Sequence, residues 1–272
     1  MTTTVRALTL PLGRGDLGLT LTVDGGDEGH PFLLLHGGAG PMTVASFAGL
    51  LTEQRPARVF TPVHPGFDGT VRPDWLTDVP TLAHAYLRLL DELGLSGVTV
   101  VGNSIGGWIA AEMALLGGDR IGGVVLVDAV GIHVPGHPVA DPSSLTPAEL
   151  ARLAYHDPEK FGVDPARMSE EQRAVMLGNR AAVATYAGRH GMTDPTLRER
   201  LAKVSLPTRV VWGESDRVVD LDYGRAFAEA IPGAEFVLLH ETGHLPQIES
   251  PRQLLATVQD FADAHTTSRP GR

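Results

Sequence analysis

The chain has 272 residues, 22 Lys or Arg against 32 Asp or Glu and a formal charge of −10, which argues against a nucleic-acid partner. Hydrophobic residues at 43% and charged residues at 20% suit a soluble globular chain with one large core and exclude intrinsic disorder, while the lack of cysteine excludes disulfides, thiolate metal ligands and a cysteine nucleophile. No apolar run approaches the roughly 18 to 20 residues that span a bilayer, and Met1-Thr-Thr-Thr-Val-Arg lacks a basic-then-apolar leader, so the expectation is a cytoplasmic protein with no membrane partner.

Short β-branched runs alternate with helix-like stretches, the pattern of parallel strands joined by crossover helices, which makes the fold class α/β. Strands are predicted at 5–10 and 17–23, able to pair as a hairpin, and then at 32–35, 58–63, 98–101, 124–127, 208–212 and 236–239. Several of these, such as Phe32-Leu-Leu-Leu and Val124-Val-Leu-Val, are apolar at every position, as strands covered on both faces should be. Helical patterns fall between them at 44–54, 82–93, 105–116, 223–230 and 251–265. Between Gly131 and Leu206 the alternation stops and helices are expected near 147–155, 170–186 and 196–204. That stretch is too long for a plain loop and reads as a helical insertion over one end of the sheet. The polar tail from Thr266 to Arg272 reads as frayed.

Directly after the strand at 98–101 comes Gly102-Asn103-Ser104-Ile105-Gly106-Gly107, and an apolar helix pattern follows at once. A serine on so tight a strand-to-helix turn needs glycines two residues to either side, because nothing larger lets strand and helix approach that closely. Its hydroxyl would then stand above the sheet edge as a nucleophile. Ser104 could instead merely cap the helix, and a glycine-flanked helix start can hold phosphate. Against phosphate, the P-loop lysine is missing and no G-x-G-x-x-G with a following acid occurs.

A serine hydroxyl needs a base, and the base needs an acid to orient it. Gly213-Glu214-Ser215-Asp216 follows the strand at 208–212, and His240-Glu241-Thr242-Gly243-His244 follows the strand at 236–239. Asp216 is the preferred acid, with Glu214, Asp220, Asp222 and Asp128 as competitors. His244, on a loop after glycine, is preferred as base over His240, which closes a strand. The glycines of Leu35-His36-Gly37-Gly38-Ala39-Gly40-Pro41 let backbone approach a ligand and aim an N–H at a developing oxyanion, with the N–H of Ile105 as second donor. His36 reads as structural.

From His36-Gly-Gly through Gly102-Asn-Ser-Ile-Gly-Gly and Gly213-Glu-Ser-Asp to Gly243-His244, the chain resembles the α/β-hydrolase fold family. The resemblance implies an eight-stranded, mostly parallel sheet flanked by helices, its first strands antiparallel. It divides the chain into a core of residues 1–130 and 207–272 and a helical cap at 131–206. It further implies a triad of Ser104, Asp216 and His244, oxyanion donors at Gly38 and Ile105, and no cofactor or metal. Haloalkane dehalogenases and epoxide hydrolases of this fold carry aspartate as nucleophile, so serine disfavours both reactions. Asn103 and the stretch from His36-Gly-Gly-Ala-Gly-Pro to Ser46-Phe47 look like the meta-cleavage-product hydrolases, which break a carbon–carbon bond in a dienoic keto acid. Those enzymes usually carry tryptophan after the catalytic histidine, where this chain has Leu245-Pro246-Gln247; His64 and Asp68 also depart from the usual pattern. The expected function is a serine hydrolase acting on a small ester or lactone, with carbon–carbon hydrolysis as the alternative and a hydrolase-like ligand receptor as an alternative of another class. The partner expected is a small-molecule substrate, and the oligomeric state stays open. Trp108 and the insert's aromatic and methionine residues are read as packing residues, whereas Arg180 and Arg189 could receive a substrate carboxylate.

Overall fold

Strands that are apolar at every position need cover on both faces, and the computed structural model of this chain, which describes residues 2–141 and 144–266, supplies it. The chain runs β1 (Thr3–Leu12), β2 (Gly15–Gly25), β3 (His30–Leu35), α1 (Met42–Glu53), β4 (Ala57–Pro62), α2 (Val79–Glu92), β5 (Val98–Asn103), α3 (Ile105–Leu116) and β6 (Ile121–Val127). A helical stretch follows with β7 (Gly131–Ile132), α4 (Pro147–Ala154), α5 (Pro158–Phe161), α6 (Glu170–Ala187), β8 (Thr193–Asp194) and α7 (Leu197–Arg200). The chain then returns through β9 (Thr208–Gly213), α8 (Leu221–Glu229), β10 (Glu235–Leu239), α9 (Pro246–Glu249) and α10 (Pro251–Thr266).

Eight strands form one sheet in the order β1-β2-β4-β3-β5-β6-β9-β10. β2 is antiparallel to both neighbours, β1 and β4, and the remaining pairs are parallel. Successive side chains point to opposite faces. Leu33, Leu35, Val98, Val100, Val124 and Leu126 join the core beneath α2 and α3, whereas Phe32, Leu34, Val101, Val125 and Val127 join the one beneath α1 and α10. The order doubles back at β3, which has β4 on one side and β5 on the other, and the crevice outside the carboxyl ends of such strands is where α/β sheets bind ligands.

Between β6 and β9 lie α4 to α7 and a two-residue parallel ladder of β7 with β8, which no alternation in the sequence signals. The start of α6 is written locally: Ser169 accepts from the N–H of Gln172, whose side chain returns to the N–H of Ser169, a capping box. The same device at Thr146 and Glu149 opens α4. The tail expected to fray lies, beyond Thr266, outside the described residues. No described helix is long and apolar enough to cross a membrane.

The insert is tied to α3 by a buried charge. Glu112, 3% exposed, accepts from both Nη atoms of Arg200 at 2.7 and 2.6 Å, and Arg200 also reaches Asp194. Removing the guanidinium would leave the Glu112 carboxylate buried without its counter-charge, a loss of about 3 kcal/mol or more. Arg200→Met should therefore lower the urea midpoint at unchanged m-value, and a second change, Glu112→Met, should restore part of the loss.

Candidate active site

β5 ends at Asn103 and α3 begins at Ile105, so Ser104 makes the whole turn, with φ 57° and ψ −119°. Such backbone costs about 1–3 kcal/mol and persists only where the surroundings over-determine it. Here they do. A Cβ on Gly102 would lie 2.1 Å from the Gly106 oxygen, and one on Gly106 would lie 2.3 Å from the Leu35 oxygen, so only glycine admits this closeness of β3, β5 and α3. The Ser104 N–H donates to Val127 O at 3.0 Å, and Ser104 O accepts from Gly107 and Trp108. Its hydroxyl does not cap the helix and has no hydrogen-bond partner among the described residues, which leaves it free for another task.

His244 Nδ1–H donates to Asp216 Oδ2 at 2.8 Å, and Asp216 Oδ1 accepts the N–H groups of Val218 and Val219 at 2.8 and 3.1 Å. Three donors thus converge on the carboxylate, and through Nδ1 it fixes the orientation of the ring. The competitors are occupied elsewhere. Glu214 pairs with the exposed His240 and the N–H of Glu241, Asp220 caps α8 through Tyr223 N–H, and Asp222 is exposed. No hydrogen bond joins Ser104 Oγ to His244, and neither Ser104 Oγ nor His244 Nε2 is a sealed, unpaired buried atom. What holds the two loops together is Asn103: its Nδ2 donates to the His244 carbonyl at 2.9 Å, and its Oδ1 accepts from Gln247 at 3.1 Å.

The loop after β3 is braced by two stacked imidazoles. His36 and His64 lie with centroids 3.7 Å apart at 27°. His36 Nδ1–H donates to Gly37 O and its Nε2 accepts from His64 N–H, while His64 Nε2–H donates to His36 O and its Nδ1 accepts from the Tyr86 hydroxyl. All four ring nitrogens are thus satisfied in the neutral state. Burial pulls His36 down to about 4, and burial with the neighbouring His36 pulls His64 well below the ordinary histidine range. Beyond this brace, the N–H groups of Gly38 and Ile105 donate to no described acceptor, as two donors kept for a ligand oxygen would.

Residues 32–258 match the alpha/beta hydrolase family. The chain belongs to that family. It is 29% identical over 249 residues to the 2-hydroxymuconate semialdehyde hydrolase of Pseudomonas putida, covering 86% of this chain and 87% of the relative. It is 27% identical to Lipase 3 of Moraxella sp. (strain TA144), covering 96% and 90%. Among solved structures it superposes on a thermophilic esterase from Thermogutta terrifontis with TM-score 0.76 at 23% identity, over 96% of this chain and all of that one. A meta-cleavage product hydrolase from Pseudomonas fluorescens IP01 gives 0.75 at 21%, over 94% and 97%.

Two features of this hydrolase lie beyond the sequence reading, Asn179 and a cavity beside α6, while Asp128, one of the competitors for the acid, lies beside Asp216. Asn179 of α6, 4% exposed, donates to Ala39 O at 3.0 Å and accepts the Asp68 N–H at 2.8 Å, so it clamps the loops after β3 and β4. Its signal was available: Asn179, Ala182, Val183 and Tyr186 form one buried stripe, and a polar residue in such a stripe needs a partner. Asp128, fully buried at φ 45°, accepts from Gly213 N–H at 2.8 Å. With Asp216 and His244 it makes a cluster whose ligand atoms lie within 4.8 Å of one another, the spread of a metal site. Asp216 and His244 are already bonded to one another, and Asp216 also to two backbone N–H groups. Finally, a cavity of about 690 Å³ opens between α6 and the loop after β7, lined by His133, His137, Arg180, Val183 and Met192 among others. Ser104, Asp216 and His244 do not line it; of its lining residues, Val183 has its Cγ2 3.0 Å from where a Gly38 Cβ would be.

The neutral histidines make stability depend on acid. Unfolded, His36 and His64 titrate near the ordinary value of about 6.5, so their contribution is complete above that pH. It is lost as pH falls toward about 4, where His36 can itself take up a proton in the fold, each ring contributing about 1.4 kcal/mol per pH unit. His64→Gln should flatten the fall of unfolding free energy between pH 6.5 and 4 by about that slope, read from urea midpoints. Comparing the two proteins isolates His64 from Asp128, whose raised carboxyl contributes with the opposite sign.

Proposed function

We propose that this chain is a serine hydrolase that cleaves a small ester or lactone through an acyl-enzyme on Ser104. The observation that carries the reading is the strained serine at a helix start, flanked by the unengaged N–H groups of Ile105 and Gly38, on the sheet edge where an imidazole is oriented by a buried carboxylate. In the first step His244 takes the proton from Ser104 Oγ as the oxygen attacks the substrate carbonyl, and the two N–H groups hold the oxyanion. His244 then passes that proton to the leaving alkoxide. In the second step it removes a proton from water, the hydroxide attacks the acyl carbon, and Ser104 leaves as the alcohol with the acid as product. Asp216 keeps the ring in one tautomer throughout. The helices from α4 to α7 serve as a cap whose α6 face closes over the site through Asn179 and Val183.

A second reading, hydrolysis of a carbon–carbon bond in a dienoic keto acid, draws on two observations. The Pseudomonas putida relative is a 2-hydroxymuconate semialdehyde hydrolase, and Arg180, which lines the cavity beside α6 together with Val183, could meet a substrate carboxylate.

A panel of aryl esters, lactones and dienoic keto acids decides between the readings by relative kcat/KM. With whichever substrate turns over, Ser104→Ala should lower kcat by about 10⁴-fold or more and abolish fluorophosphonate labelling. Retained turnover in a folded Ser104→Ala protein would overturn both.

A further inference from the structure

Asp128 is a buried carboxyl that the proposed chemistry does not use. Its backbone continues the sheet, donating from N–H to Val211 O at 2.9 Å, and its positive φ is one that asparagine, aspartate and glycine tolerate better than other residues. One oxygen, Oδ1, accepts from Gly213 N–H. The other, Oδ2, is buried and meets no donor. Beside it is a second carboxyl: oxygens of Asp128 and Asp216 lie within 4.8 Å of one another. An unmet acceptor next to another acceptor is satisfied if one of the two carries a proton. Asp216 already accepts three N–H groups, which favour its charged form, whereas Asp128 accepts one, so the proton belongs on Asp128.

The geometry points to Asp128 as a positioning residue: a neutral carboxylic acid that donates its O–H to Asp216 and so holds that carboxylate in line with His244. Burial and then the Asp216 charge both push the Asp128 carboxyl well above the ordinary carboxylate range, in keeping with this. The titratable groups bearing on Asp128 are Asp216 and, across it, His244; of the neighbouring acids, Glu214 is turned to His240 and Glu249 to backbone N–H groups of residues 156, 157 and 243. The role in turnover rests on the reading of Asp216 and His244 as acid and base, but the proton on Asp128 does not.

The test therefore has a spectroscopic arm and a kinetic one. In the intact chain labelled at aspartate carboxyl carbons, with the Asp128 signal identified by its loss in Asp128→Asn, that carbon should sit at the protonated position and stay there from about pH 5 to pH 8. A signal at the ionised position, or one that titrates in that window, overturns the proposal. The low-field proton of His244 Nδ1–H should keep its position in Asp128→Asn, whose amide can donate to Asp216 in the same way, and move in Asp128→Gly, where the donor is gone but the backbone is unstrained. Movement in both variants, or in neither, overturns it, the latter by reducing Asp128 to an acceptor for Gly213. In the same variants kcat should stay within about threefold of the parent for Asp128→Asn and fall by about tenfold for Asp128→Gly with KM unchanged, the loss of one hydrogen bond to a charged group. If no member of the panel turns over, the proposed function fails while the carbon signal still decides the protonation of Asp128.

Discussion

The constraint on which the site depends is the turn at Ser104. A backbone at φ 57° is unfavourable by about 1–3 kcal/mol, and it survives because the elements around it gain far more than that. Ten consecutive residues of α3, Ile105 to Ala114, are buried, and each large apolar side chain among them contributes about 1.5–3 kcal/mol. The strain is therefore a small fraction of what docking α3 against β5 and β6 stabilises. Relaxing the turn would lift the helix off the sheet and lose that contact. The glycines at 102 and 106 permit the closeness, and the burial enforces it.

From this turn the remaining groups follow by proximity to the strand ends. The sheet order doubles back at β3, so the ends of β3 and β5 flank one crevice, and the loops after β6 and β9 open onto the same edge. Asp216 and His244 arrive on separate loops and have to be registered against the serine turn. Two buried side chains do this: Asn103 ties the turn to the His244 carbonyl, and Gln247 ties Asn103 to α9. The insert enters the same network from above. The His244 N–H donates to Ala154 O at the end of α4, and Glu249 accepts the N–H groups of Gly243, His156 and Asp157. A Cβ on Gly243 would lie 2.3 Å from Ala154 O, so the histidine loop is glycine because the insert presses on it. A shift of α4 relative to the sheet would be felt directly by the backbone that carries His244.

Much of this was legible in the sequence, and the parts that were not share a cause. Phe32-Leu-Leu-Leu and Val124-Val-Leu-Val announced doubly covered strands because burial on both faces leaves no polar alternation, and β3 and β6 contain them. The serine turn was legible because steric need confines it to one spacing of glycines. Asp216 could be preferred but not separated by residue type from Glu214, Asp220 and Asp222. The separation comes from which of them caps a helix, which faces solvent and which meets a ring, and those are tertiary facts. β7 and β8 are two residues each and too short to carry a period. α5 and α9 are single turns marked locally by little more than the proline at their start and, in α5, the Asp157 cap.

Buried polar residues were the hardest to assign, and they are where the molecule concentrates its specificity. Asn103, Asn179, His36 and His64 each lie at or below 4% exposure in an apolar surround, where an unmet donor or acceptor costs about 1–3 kcal/mol. Each therefore fixes its neighbours in one arrangement: a loop slipped by a single residue would leave several such groups unpaired at once. Apolar packing alone tolerates such slippage more readily, since one methyl contact replaces another. The hydrophobic layers thus bring the strand ends to one edge, and the polar set decides which atoms meet there. This division explains why the two imidazoles beneath the Gly38 loop are neutral hydrogen-bonded struts rather than acids or bases, although residue type alone would allow either role.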